Sequence, residues 1–348
     1  MDGLHGCCPL PFLEFNWTLM NTLIRRFALG LLILPLGFGM CARVFAQSGD
    51  YPVKPIRIVV TFPPGGSTDT MVRMLSPRLN EKLGQPLVLD NRPGAGGNIG
   101  LTAVAKSPPD GYLLGIGAAG ALTANASLYP QMPFDVAKDF MPITMLASIP
   151  FVLVGHPSVP AETLQQVVAL AKSQPGKISI GHGGNGTAMH LSTALFIQMA
   201  DVKLIEVPYR GSGPAAMDAL SGQIQLSMTD LAAALPHIKA GKLKAFGVTS
   251  LKRLSNLPDV PTFSESGLSG YDSTGWFGLV APAGTPQSIV QRLNAEFSAA
   301  LNDEGIKNQM RQSGMEPTPS SIEDFEAYIR SESQKWAKVI RQANIKLN

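Results

Sequence analysis

Residues 56–69 read Ile-Arg-Ile-Val-Val-Thr-Phe-Pro-Pro-Gly-Gly-Ser-Thr-Asp. The β-branched run Ile56–Thr61 predicts a buried strand. Pro63-Pro64-Gly65-Gly66 ends it, because prolines and glycines in series cannot continue a ladder. Ser67-Thr68-Asp69 then lead into a helical pattern over Thr70–Leu83. A strand, a tight turn and a helix start in one line leave backbone N–H groups beside the positive end of a helix dipole. Two uses of that arrangement stay open. The Gly65 and Gly66 amides and the Ser67 and Thr68 hydroxyls can hold a carboxylate. Equally, Ser67 can cap the helix, Asp69 can complement its dipole and the glycines can merely turn the chain.

The same grammar recurs along the chain. Further strands are predicted at 87–90, 113–117, 149–154, 178–181, 204–207, 226–229, 245–249 and 276–281. Helices are predicted at 101–106, 163–173, 189–199, 214–221, 231–240, 286–301 and 321–344. Short apolar strands alternating with helices imply an α/β fold with parallel strands covered on both faces. Thr163 with Gln166, and Ser320 with Glu323, match the capping-box spacing. In the last helix Ile322, Phe325, Ile329, Trp336, Val339 and Ile340 form a stripe that packs on a core. Two irregular stretches, 145–157 and 250–275, read as crossings between domains. Residues 148–249 then form an inserted domain, and 47–147 combine with 250–348.

The chain has 348 residues and a formal net charge of +3 with both signs scattered, unlike the clustered basic face of a nucleic-acid binder. Residues 20–47 read as an export signal: Arg25 and Arg26, an apolar run from Phe27 to Met40, and small residues at Val44-Phe45-Ala46. Cleavage is expected after Ala46, so residues 1–46 stand outside the fold and the destination is the periplasm. Cys7, Cys8 and Cys41, the three cysteines of the chain, lie in that segment. The exported part therefore has no disulfide, thiol nucleophile or thiolate metal site.

The first loop lacks the lysine of a phosphate-binding P-loop. Residues 91–100, Asn-Arg-Pro-Gly-Ala-Gly-Gly-Asn-Ile-Gly, miss the dinucleotide spacing because Ile99 stands where the third glycine belongs. Residues 181–190, Gly-His-Gly-Gly-Asn-Gly-Thr-Ala-Met-His, open a second helix. His182 and His190 lack the H-E-x-x-H pattern and read as packing or hydrogen-bonding residues, not zinc ligands. Arg210 faces either an anion or solvent, with solvent preferred. Ser212 is in no nucleophile elbow. Asp230, after a strand, suits a helix cap or a ligand contact at the carboxyl end of the sheet. Trp276 and Phe277 suit a cleft wall or the core. No catalytic set emerges, no cofactor is implied, and a secreted esterase or amidase is disfavoured.

These motifs together resemble the periplasmic substrate-binding receptors of tripartite tricarboxylate transporters, the Bug receptors. The carriers are residues 51–69, 91–100, 107–114, 127–147, 183–191, 207–228, 257–268 and 276–286. The resemblance implies a type II periplasmic-binding-protein fold of two α/β lobes with a ligand cleft between them. It implies a monomeric receptor, not an enzyme, that binds a small organic carboxylate and hands it to a membrane permease; a sensor kinase as recipient is not separated from this. Carried onto this chain, the ligand contacts are Phe62, Gly65, Gly66, Ser67, Thr68 and Asp69 in one lobe. In the other they are Gly184, Asn185, Gly186 and Thr187, with Tyr209 and Asp230 near the far end. No metal is implied. Residues 117–125, Gly-Ala-Ala-Gly-Ala-Leu-Thr-Ala-Asn, are less polar than is usual in the family. That departure leaves room for a less polar monocarboxylate.

Overall fold

The computed structural model describes residues 51–342 and 345; the export segment at 1–46 lies outside the described residues. Strand β1 (Ile56–Val60) pairs in parallel with β2 (Leu87–Asn91) and β3 (Leu113–Ala118). Helix α1 (Ser67–Leu83) follows β1, and α2 (Asn98–Ala105) follows β2. Ile56, Ile58 and Val60 of β1 pack with Met71, Leu75 and Leu79 of α1. Each such fully buried side chain contributes about 1.5–3 kcal/mol.

Two short helices, α3 (Asn125–Leu128) and α4 (Val136–Asp139), lead to β4 (Phe140–Gly155), which runs for 16 residues. The chain continues through α5 (Leu164–Ser173), β5 (Ser179–His182), α6 (Ala188–Ala200), β6 (Ile205–Pro208), α7 (Ser212–Leu220), β7 (Leu226–Asp230), α8 (Leu231–Lys239) and β8 (Lys244–Val248). It returns through β9 (Thr274–Pro282), α9 (Gln287–Leu301), α10 (Glu304–Gln312), β10 (Glu316–Pro317) and α11 (Ile322–Gln342). The strand order is β2-β1-β3-β9-β4-β7-β5-β6, with β8 and β10 also on β4.

The expectation of parallel pairing throughout needs correction. Parallel ladders are confined to β2-β1-β3 and β7-β5-β6, where helices make the crossovers. Strands β4, β8, β9 and β10 pair antiparallel. The reason is β4, which was expected to span only 149–154. Its first part pairs with β9 as far as Pro150↔Thr274, and its second part pairs with β7 from Phe151↔Asp230. One strand thus serves two sets of partners. The switch is pinned by hydrogen bonds from Phe151 N to Thr249 Oγ1 (3.1 Å), Thr249 N to Phe151 O (3.0 Å) and Ser273 N to Thr249 O (3.1 Å).

The apolar stripe of α11 packs inward as its spacing predicts: Phe325, Ile329, Trp336 and Ile340 are buried. Phe325 meets the Trp276 ring edge-on, with centroids 5.7 Å apart. No helix among the described residues is long and apolar enough to cross a membrane.

Candidate functional site

The first turn of α1 is not capped by Ser67. The N-cap is Gly66, and among the described residues no side chain bonds the first-turn amides. Ser67 is the first helical residue, and its hydroxyl donates to Asp230 Oδ2 at 2.9 Å. The start of α7 is similar: its N-cap is Gly211, without a side-chain cap, and Ser212 Oγ donates to the same Asp230 oxygen at 2.6 Å. Asp230 Oδ1 accepts the Ala233 N–H at 2.9 Å and so caps α8. One buried carboxylate therefore ties together helix starts that follow β1 and β6, on opposite sides of the β4 switch. The first-turn amides of an uncapped helix have no intrahelical acceptor.

These helix starts face an inner cavity of about 180 Å³. Phe62, Gly65, Gly66, Ser67, Thr68, Thr187, Ser212 and Asp230 line it, and Phe151, Met189, Trp276 and Phe277 form its far wall. A neighbouring outer cavity of about 520 Å³ is lined by Gly94, Gly96, Tyr129, Gly184, Asn185 and Tyr209. Phe62, Pro63, Thr187, Arg210 and Gly211 border both. Arg210 is exposed at this neck and makes no hydrogen bond or ion pair among the described residues.

Some sequence-predicted residues stand elsewhere. Asp69 lies outside both linings. It accepts hydrogen bonds from Gly65 N (3.1 Å), Arg73 Nε (2.8 Å) and Asn91 Nδ2 (3.4 Å). Burial alone would raise its pKa, but the Arg73, Gly65 and Asn91 bonds hold it below the usual carboxylate range. Tyr209 donates its hydroxyl to Asp218 at 2.7 Å; burial and that carboxylate push the phenol up to about 12. Its ring borders the outer cavity only. Gly186 borders neither cavity. The wall residues Met189 and Phe151 and the rim residue Ser212 carry no sequence pattern that marks them as cavity residues. Their signal was weak, since an apolar wall and an apolar core look alike in sequence.

The loop before α6 uses its amides internally. Gly184 N donates to His182 Nδ1 (3.2 Å) and Gly186 N to His190 Nδ1 (3.4 Å). Thr187 caps α6 by accepting the His190 N–H and donates its own proton to Gly184 O at 2.7 Å. Both imidazoles are buried, and their Nε2 atoms lie 3.8 and 4.0 Å from Glu206 Oε2. These three residues form the group of metal-type donors found among the described residues. An accepting Nδ1 leaves the ring proton on Nε2. Each ring therefore presents an N–H toward Glu206 instead of a lone pair, the opposite of a metal ligand. Burial pushes His182 down to about 3, helped by its histidine neighbour, and His190 down to about 4. Burial also raises Glu206.

The loop docks tightly on the other side of the cleft. Tyr129 Oη donates to Asn185 O at 3.3 Å. A side chain at Gly120 would overlap the Gly186 carbonyl, and one at Gly96 would stand 3.0 Å from Asn185 O. Gly186 itself has φ +77, which glycine alone adopts without strain.

Comparison with known proteins gives this arrangement its family. Residues 71–345 match the Tripartite tricarboxylate transporter family receptor. The chain belongs to that family. Protein BugT of Bordetella pertussis is 37% identical over 310 residues, covering 89% of this chain and 94% of BugT. Among solved structures, R. palustris Rpa4515 with adipate superposes with a TM-score of 0.83 at 36% identity, over 86% of this chain and all (100%) of that one. MatC from Rhodopseudomonas palustris with bound malate gives 0.79 at 31% identity, over 83% of this chain and 100% of MatC. The chain thus has the mixed α/β fold of periplasmic solute-binding proteins, and its family consists of receptors, not enzymes.

Proposed function

We propose that this receptor is exported to the periplasm, binds a small organic carboxylate by closing two lobes on it, and delivers it to a tripartite tricarboxylate transporter-type permease. The lobes are residues 47–147 with 250–348, and residues 148–249, hinged where β4 changes partners. The observation that carries this reading is the pair of uncapped helix starts, at Ser67 and Ser212, facing one cavity from either side of that hinge. Their amides and partial positive charge suit one carboxylate. Adipate and malate in the two related structures support the ligand class.

The test is a thermal-shift screen of carboxylates with a turnover assay on each hit. Stabilisation without consumption of the ligand is the expected result; catalytic consumption would sink the receptor reading. The Gly66→Val variant localises the site. Gly66 has φ −77 and an added Cβ would meet only Pro63 O at 3.6 Å, so the fold tolerates it while the side chain covers the α1 amides. Its melting point should stay near that of the parent while ligand stabilisation disappears.

A further inference from the structure

We infer that the preferred ligand is a monocarboxylate with a compact apolar body about the size of one aromatic ring. This rests on the receptor reading above and narrows it. The inner cavity has a polar rim and an apolar wall. Ile149 and Phe151 of β4, Trp276 and Phe277 of β9, and Met189 of α6 form the wall, and Ala119 adds to it. Its volume of about 180 Å³ slightly exceeds the roughly 150 Å³ of an apolar cavity that takes up benzene. A ring fills it, and the carboxylate then reaches the helix starts at the rim.

The donors at the rim suffice for one anionic group. The Ser67 and Ser212 hydroxyl protons go to Asp230, and the Thr187 proton goes to Gly184 O. What remains free is the first-turn amides of α1 and α7, the Thr68 hydroxyl and Arg210 at the neck. Asp230 adds a negative charge at the same rim. A second carboxylate directed inward would meet neither a cation nor a free hydroxyl; the Trp276 indole N–H, unpartnered among the described residues, is one neutral donor on that wall and offsets only part of the cost of desolvating a charge there. A polyhydroxy or tricarboxylic acid is disfavoured for the same reason.

Isothermal titration calorimetry of the whole receptor with benzoate, malate, adipate and citrate tests this. Benzoate is expected to bind at least tenfold tighter than each of the three polyacids, with a negative heat-capacity change from apolar burial. Met189→Gln should weaken benzoate about tenfold and reduce its preference over malate, because a polar amide then stands on the apolar wall. Malate, adipate or citrate binding as tightly as benzoate, or tighter, would overturn the inference and leave the receptor reading intact. Absence of benzoate binding would overturn the inference, while the wider thermal-shift screen decides the receptor reading.

Discussion

At the scale of single residues, Asp230 concentrates the most consequence. Its carboxylate accepts two hydroxyl protons and one amide proton. Asp230→Asn keeps a helix cap, since asparagine caps as well as aspartate. An amide NH2 then stands where Oδ2 accepts both serine hydroxyls, so the two charge-assisted bonds, about 1.5–3 kcal/mol each, survive only with the direction reversed, as neutral bonds of about 1. Urea unfolding of this variant should show a loss of about 1–3 kcal/mol, with an unchanged m-value.

The histidine pair sets the acid limit of the fold. Native His182 and His190 stay neutral down to about 3 and 4, whereas the unfolded chain protonates them below about 6.5. The unfolded state therefore gains protons first. Stability should fall as pH drops from about 6.5 toward 4, by up to about 1.4 kcal/mol per pH unit for each histidine. Glu206 acts with the opposite sign, because its raised value lets the native state take a proton first. Melting curves from pH 7 to 4 check this, and His182→Asn should flatten the slope while still accepting the Gly184 amide. A slope unchanged by that substitution would place the acid sensitivity elsewhere.

At the scale of elements, the loop at 183–187 and the turn at Gly120 fit as a key and a notch. Ala at Gly120 leaves its own helical turn feasible but collides with the Gly186 carbonyl. We expect Gly120→Ala to weaken ligand binding more than tenfold by calorimetry, because the loop and Thr187 can no longer seat against the cleft. Sequence legibility was uneven at this scale. The caps at Thr163, Thr187 and Asp230 follow residue preference and were open to prediction. Ser67 misleads because two glycines precede it, and the backbone makes Gly66 the cap. The 16-residue extent of β4 was illegible because Pro142 and Pro150 interrupt its pattern, and only the β9 ladder holds the strand through them.

At the scale of the whole molecule, the alternation of short strands and helices revealed an α/β protein, and the turn at 62–69 lines the cavity proposed as its site. The chain's pattern did not reveal which loop amides are free. That depends on where His182, His190 and Asp230 place their acceptors, which is a tertiary fact. Gly184 and Gly186, prominent in sequence, are held by imidazoles, while the less conspicuous Ser212 start of α7 is left open.

The Ser67–Asp230–Ser212 bridge also has a kinetic meaning. It joins residues 163 positions apart at the lining of the inner cavity. In the proposed two-lobe closure, that bridge would have to break before the lobes part to admit a ligand. Stopped-flow binding should then show an observed rate that levels off at high ligand concentration, at the opening rate of the bridge. Ser67→Ala should raise that ceiling, trading a tighter gate for a faster one.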